Sequence, residues 1–405
     1  MNGSKILDSL YSWKRLAVTL FAATIANVGM WAIVVIMPAV QQEFGIDRAD
    51  TALPYTLLMI GFAVGNLVIG RWVDRIGIAW SLVAAALCLA CGYTLAALSS
   101  SVFWLAACHL LIGFGTAAGF GPLIADISHW FLRRRGLAVA ITASGNYLSG
   151  AIWPLLLSPV LRDSGWQMVY LILAVASLVC LVPVSLLLRR RVPQEAAQIA
   201  DTLASANARS IDLSPRMFQW LLVVAGLGCC VAMSMPQVHL VSLCVDLGYG
   251  PVAGAEMLSL MLMGGVVSRI VFGLIADRLG GVATLLIGSM LQGIALFFYL
   301  PFDGLASLYI VSLVFGLSQG GIVPSYTLIV REYLPAREAG ARTGTVLMAT
   351  ILGMALGGWM SGWIYDVTGS YQMAFINGIA WNALNIAIMT AILFKSRSRA
   401  QLAPQ

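Results

Sequence analysis

The chain has 405 residues, of which 60% are hydrophobic and 10% charged, with a formal net charge of +6. A soluble protein carries about 25% charged residues, so a soluble fold of this length could not cover its surface with polar groups. The mean hydropathy of +0.90 agrees. The positive charge is not a nucleic-acid patch either, because the Lys and Arg residues sit in short clusters between apolar runs, as they do where charge holds a protein in orientation across a membrane.

A membrane-crossing helix needs about 20 mostly apolar residues. The apolar runs predict twelve, near 16–40, 52–72, 79–98, 102–130, 137–160, 167–188, 217–244, 252–275, 282–300, 304–330, 341–365 and 371–394. Unpaired backbone groups are not tolerated in hydrocarbon, so the expected fold is all-α; a β-barrel would show alternating segments of about ten residues instead. Lys5, Lys14 and Arg15 precede the first run. That run is too long for a secretory h-region and no small-residue cleavage site follows it, so no cleavable signal is expected. The seven cysteines all fall in apolar segments. Cys88 and Cys91 form a CxxC inside a predicted helix, where cysteine behaves as a small hydrophobe.

The longest connection, 189–216, opens with Arg189-Arg190-Arg191 and lacks strong amphipathicity. It reads as a cytoplasmic linker between an N-terminal six-helix bundle (1–188) and a C-terminal one (217–405) that ends in a short cytoplasmic tail. With the N-terminus inside, twenty of the 23 Lys and Arg fall in inner segments, Arg48 and Arg162 fall outside, and Arg269 lies within a span. That asymmetry predicts cytoplasmic termini and an even number of spans.

The two halves repeat. Gly70-Arg-Trp-Val-Asp74-Arg75-Ile-Gly77 links spans two and three, and Gly273-Leu-Ile-Ala-Asp277-Arg278-Leu-Gly280 links spans eight and nine, 203 residues on. Gly119-Phe-Gly-Pro122 matches Gly321-Ile-Val-Pro324 at an offset of 202, and Glu43-Phe-Gly45 matches Asp246-Leu-Gly248 at 203. Duplicated six-helix units are the plan of one large class of secondary transporter. In each GxxxDRxG loop the glycine allows close helix approach, the Asp caps a helix end or pairs with a neighbouring cation, and the Arg faces the anionic leaflet. Gly70, Asp74, Arg75, Gly273, Asp277 and Arg278 are thus candidates for a conformational lock; a tight turn with polar ends is the plainer alternative.

The duplicated GxxxDRxG resembles the major facilitator superfamily over the whole chain, which implies two pseudo-symmetric six-helix bundles around a central cavity. A narrower resemblance lies in spans four and five, where Pro122 to Ala138 reads PLIADISHWFLRRRGLA and Gly145 and Gly150 follow. This segment is similar to the monocarboxylate transporters and to their bacterial relatives, including oxalate/formate exchangers. The resemblance implies a bacterial inner-membrane carrier with Arg269 at the substrate-binding arginine of span eight. One turn earlier the sequence departs from the family: some members carry an acidic residue or Asn there, and this chain has Gly265.

Polar residues inside spans are costly and therefore informative. A central Arg costs at least about 2.5–3.5 kcal/mol to insert and cannot shed its proton. Arg269 lies eight residues before Asp277, too far to snorkel, so it needs an internal partner or a water-filled cavity. A substrate carboxylate, gripped by two parallel hydrogen bonds, is one candidate; a structural pair with Asp126 is the other. Asp126 could titrate during transport or pair with loop arginines. His239, beside a Met235-Pro236 step that suggests a broken or kinked helix, could carry a proton or bind substrate, or be structural. Asn27, Trp31, Asn146, Tyr147, Tyr326 and Trp359 lie on spans that line the cavity in carriers of this resemblance, and each could equally be packing glue. Glycines 113, 115, 119 and 121 in span four, and 353, 357, 358 and 362 in span eleven, read as close-packing positions.

These features lead to a secondary transporter, working as a monomer, that moves a small organic anion, such as a lactate- or pyruvate-like monocarboxylate, with protons as co-substrate. Export of amphiphilic drugs or metabolites and oxalate/formate-type exchange are the alternatives. No GxxxxGKS or GxxxxGKT, metal cluster or nucleophile–base pair is present, so neither ATP drive, a cofactor nor an enzyme is expected.

Overall fold

The structure, a computed structural model, describes residues 7–131, 134–190, 211, 213–334 and 339–400. Most of the expected linker 189–216 therefore lies outside the described residues. Among the described residues, eleven helices are long and apolar enough to cross a membrane. One of them, Leu137–Leu187, contains two spans: Gly165 takes φ 79° and ψ 172° and breaks the helix there. The result is twelve spans, each close to its expected position.

In chain order they are α1 (Leu10–Phe44), α2 (Arg48–Ile76), α3 (Ile78–Ala97), α4 (Val102–Ser128), α5 (135–164), α6 (166–187), α7 (Pro215–Asp246), α8 (Gly250–Leu279), α9 (Gly281–Phe298), α10 (305–333), α11 (Ala339–Thr368) and α12 (Tyr371–Ala400). Side chains such as Leu87, Phe103, Phe297, Ile310 and Phe394 point outward, which suits a surface bathed in lipid rather than water.

The duplication is visible in the backbone. Gly45 and Gly248 both take positive φ, as do Gly77 and Gly280 (88° and 83°), and Gly165 and Gly369 (79° and 68°). Each pair sits at a helix junction 203 or 204 residues apart. Glycine adopts these angles without the Cβ clash that other residues meet. Helix packing repeats in the same register. A Cβ on Gly113 of α4 would strike the Leu58 carbonyl of α2, and one on Gly316 of α10 would strike the Met261 carbonyl of α8. The contact is reciprocal, because Gly61 seats against Leu110 and Gly264 against Leu313. Without a hydrophobic drive between helices in lipid, such close seats let dispersion hold the bundle.

Three helices are interrupted near the middle of the membrane. In α1, Asn27 (φ −84°, ψ 0°) separates two straight segments. In α4, Ala117–Gly119 forms a 3₁₀ turn before Gly121 restarts the helix, and in α10 the break falls at Gly320–Gly321. Where Met235-Pro236 suggested a broken or kinked helix, there is no break: α7 runs from Pro215 to Asp246 with Pro236 inside it. A proline costs a helix one hydrogen bond, and here the surrounding packing, which leaves residues 228–242 buried, keeps the helix continuous.

The lock motifs are only partly visible. The side chains of Asp74 and Asp277 lie outside the described ones. Gly70 and Gly273 face open space, with nothing within 4 Å of an added Cβ; the close approach expected at these two glycines is not made in this conformation. The glycines that do seat helices lie elsewhere, among them Gly61, Gly113, Gly264, Gly316 and Gly357. Two sets of variants test this distinction by thermal unfolding of purified protein. Gly113→Ala and Gly316→Ala should destabilise by about 1–3 kcal/mol, because backbone cannot give way as a side-chain tip can. Gly70→Ala and Gly273→Ala should unfold within about 0.5 kcal/mol of wild type.

Candidate functional site

A cavity of about 360 Å³ lies between the halves, within the range of about 300–1,000 Å³ typical of small-molecule sites. Its walls come from α1, α2, α4, α5, α7, α8, α10 and α11, and it extends to Thr343 and Gly344 in the first turns of α11. It therefore opens toward the face that carries the termini.

The opposite face is closed by contacts across the halves. Asp366 of α11 accepts hydrogen bonds from the backbone N–H groups of Arg48 and Ala49 (2.8 and 2.7 Å), capping α2. The Arg48 guanidinium pairs with Asp246 at the end of α7 and lies over the rings of Tyr365 and Tyr371 at 5.1 and 6.0 Å. One turn deeper, Gly362 admits the Arg48 carbonyl, and the Thr56 hydroxyl donates to the Ala355 carbonyl at 3.3 Å. Charge pairs of this kind must part when that face opens.

Arg269 sits in the cavity wall and is 5% exposed. Its Nε donates to the Gly320 carbonyl at 3.1 Å and its Nη1 to the Ala143 carbonyl. Its guanidinium carbon lies 4.1 Å above the Tyr147 ring. The sequence explains the first bond: four residues after Gly320 comes Pro324, which has no N–H, so the Gly320 carbonyl has no helical donor to receive. The break in α10 thus supplies an acceptor to a cation on α8. Gly265, one turn before Arg269, explains the third contact, since a Cβ there would come within 2.8 Å of the Tyr147 ring. No carboxylate among the described residues pairs with Arg269. The structural alternative, Asp126, is instead held by Arg15 at 2.8 Å, with a second bond from Nε at 3.1 Å. That same Arg15 donates to the Leu188 carbonyl and stacks over Trp130.

Of the other expected residues, Trp31, Asn146 and Tyr147 line the cavity beside Arg269. The Trp31 indole N–H donates to the Asn146 carbonyl (2.9 Å), so the ring presents its apolar face. Asn27 lies behind this wall. Its amide donates to Ala23 and to Gly119 in the break of α4, and its Oδ1 accepts from Asn146 at 3.2 Å. His239, Tyr326 and Trp359 are not among the lining residues. The two ring nitrogens of His239 contact the Tyr371 hydroxyl (3.1 Å) and the Gly358 carbonyl (2.7 Å). Tyr326 donates to Asn385 at 2.9 Å, deep in the C-terminal half. Trp359 stacks on Trp363, whose ring is exposed on the outer surface.

The sequence reading missed two sets of lining residues. Met30, Met59, Met233, Met348 and Met354 come from both halves and make much of the wall. Gln237 of α7 also lines it; an amide in mid-span, one turn after Met233, was the available signal.

The sequence profile of the Major Facilitator Superfamily matches residues 19–341 and 246–404. The chain belongs to that superfamily and is a multi-pass membrane transporter, not an enzyme. It is 30% identical to monocarboxylate transporter 13 of Bos taurus over 270 residues, which cover 66% of this chain and 62% of that protein. It is 27% identical to monocarboxylate transporter 11 of Homo sapiens, over 84% of this chain and 74% of that one. It is also 25% identical to the MFS-type transporter pynF of Aspergillus niger, over 81% and 75%. Its fold is similar to that of a bacterial homologue of the human lysosomal transporter Spinster, solved in an inward-facing and occupied conformation, with a TM-score of 0.67, 12% identity and 96% of each chain covered.

The closure across the halves is open to test. Asp246→Asn removes a partly buried charge partner, and should raise the ratio of molecules open at the face opposite the termini by about 5–30-fold, equivalent to about 1–2 kcal/mol. Spin-label distances between the ends of α2 and α11 at that face would report it as a new, longer population; an unchanged distribution would remove the pair from the closure.

Proposed function

We propose that the chain carries a monocarboxylate across a bacterial inner membrane by alternating access, as a monomer with both termini in the cytoplasm, its halves 1–188 and 217–405 rocking about the linker 189–216. The observation that carries this reading is Arg269, a cation in the wall of the cavity between the halves, held by two carbonyls and a ring but by no carboxylate among the described residues. A guanidinium so held has donor capacity to offer an anion and binds it with fork geometry that an ammonium lacks. Among the described lining residues Arg269 is the one charged side chain, which favours a monoanion over the dianion of oxalate-type exchange. The likeness to two proteins named monocarboxylate transporters supports the same class.

Uptake into proteoliposomes tests it. Arg269→Ala should abolish monocarboxylate uptake, and Arg269→Lys should lose at least about tenfold, while both proteins purify as folded monomers. Normal uptake by the alanine variant overturns the proposal.

For proton coupling the geometry favours Asp126 over His239. His239 lies behind Gly358 with both ring nitrogens engaged. Asp126 follows Ala125 of the cavity wall and joins α4 to α1 through Arg15, so parting that pair would leave a carboxylate able to take a proton. Asp126→Asn should make uptake insensitive to an inward proton gradient, whereas His239→Gln should retain the response; the reverse pattern contradicts this assignment.

A further inference from the structure

Resting on the monocarboxylate reading, a second set of observations concerns the rest of the substrate. The cavity is far larger than a three-carbon acid, and beyond Arg269 its wall is soft and apolar. Met30 and Met59 from one half and Met233, Met348 and Met354 from the other line it together with Trp31. Methionine is unbranched and polarisable, fits irregular shapes and makes favourable sulfur–aromatic contacts. Supplied by both halves, such a wall can stay in contact with one ligand body while the halves move.

Among the polar side chains of this wall, which include Asn66, Asn146, Thr343 and Thr350, one amide is left short of a partner. Gln237 is 1% exposed and lines the cavity. Its Nε2 donates to Oε1 of Gln319 at 2.6 Å, and its Oε1 has no hydrogen-bond partner among the described residues; nor has Nε2 of Gln319. Exchanging O and N in both amides keeps the bond and leaves Gln237 a spare donor instead. Either way one hydrogen-bonding site on Gln237 is unmet and buried, which is costly while it stays so. Gln319 also precedes Gly320, whose carbonyl holds Arg269, so the amide pair and the guanidinium belong to one neighbourhood.

We propose that the cavity takes an amphiphilic monocarboxylate: the carboxylate on Arg269, a bulky flat or branched apolar body against the methionine and aromatic wall, and one neutral hydrogen-bonding substituent on the Gln237 amide. The substrate class is thus an aryl or long-chain hydroxy or oxo acid rather than lactate, formate or oxalate.

Equilibrium binding to detergent-purified protein decides it, with phenyllactate, 3-phenylpropanoate, lactate, succinate and phenyllactamide as probes. Affinity should rise by about fourfold for each buried methylene equivalent, placing phenyllactate at least about a hundredfold above lactate. Phenyllactate should exceed 3-phenylpropanoate by about 2–12-fold, the worth of one neutral hydrogen bond. In Gln237→Leu and Gln237→Met that ratio, read within each variant and so independent of folded yield, should fall to about one. Lactate or succinate binding as tightly as phenyllactate overturns the apolar body. A ratio that survives both variants overturns the role of Gln237. Phenyllactamide binding as tightly as phenyllactate would instead overturn the carboxylate reading on Arg269 and leave the apolar wall standing, so the two failures are separable.

Discussion

A guanidinium that cannot lose its proton is buried between the halves of a membrane bundle, and much of the architecture around it serves to make that tolerable. Hydrogen bonds to a charged group are worth about 1.5–3 kcal/mol each, and a desolvated cation–π contact about 2 kcal/mol. Two carbonyls and the Tyr147 ring therefore offset much of what Arg269 costs. The carbonyls come from opposite halves, Ala143 on α5 and Gly320 on α10, so the cation also ties the halves together at the level of the cavity. Pro324 frees one of those carbonyls, and Gly265 makes room for the ring. What is missing is a carboxylate, and an anionic substrate would supply it.

The second constraint is mechanical. The halves meet tightly at the face opposite the termini and part toward the other face. Small residues on α11 allow the first, as Gly358 and Gly362 accept Tyr55 and the Arg48 backbone of α2. Charge then fixes it, through Asp366 on the α2 N-terminus and Asp246 on Arg48. The two halves are related by duplication, yet here they are used differently. Glu43, the counterpart of Asp246, stays within its own half and accepts hydrogen bonds from Trp166 and Gln167. Asp246 reaches across instead. A symmetric ancestor plan has thus been bent so that one copy of an acidic position stabilises a half and the other latches the halves together.

How much of this was legible depended on which physical signal carried it. Span number and the repeat were plain, because twenty-residue apolar runs and a 203-residue offset survive any error of a few residues; glycine angles and seats fall in that same register. Arg269 was legible because its insertion cost admits few explanations. Trp31, Asn146 and Tyr147 were placed on the cavity and line it; Tyr326 and Trp359 were placed there and face a polar core and the lipid side. The difference is rotational: a helix apolar all round carries no stripe to say which face looks inward. The methionines were passed over for the same reason, since nothing in composition separates a cavity wall from a core. Pairings across long sequence distances were legible only in part: a loop arginine was one of the partners open to Asp126, but nothing said which, and the partner of Asp246 was not foreseen. Arg15 read as an inner-loop charge and Arg48 as an outer one, and only the folded chain brings them to Asp126 and Asp246.

The account stands on an anion meeting Arg269. Solid-state NMR on protein in bilayers, with guanidinium ¹⁵N-labelled arginine and a carboxyl-¹³C monocarboxylate, measures that contact directly. A two-pronged bond predicts a carboxyl carbon within about 4 Å of two guanidinium nitrogens, with the signal lost in Arg269→Lys. A bound ligand whose carboxyl carbon shows no dipolar coupling to any arginine would contradict it.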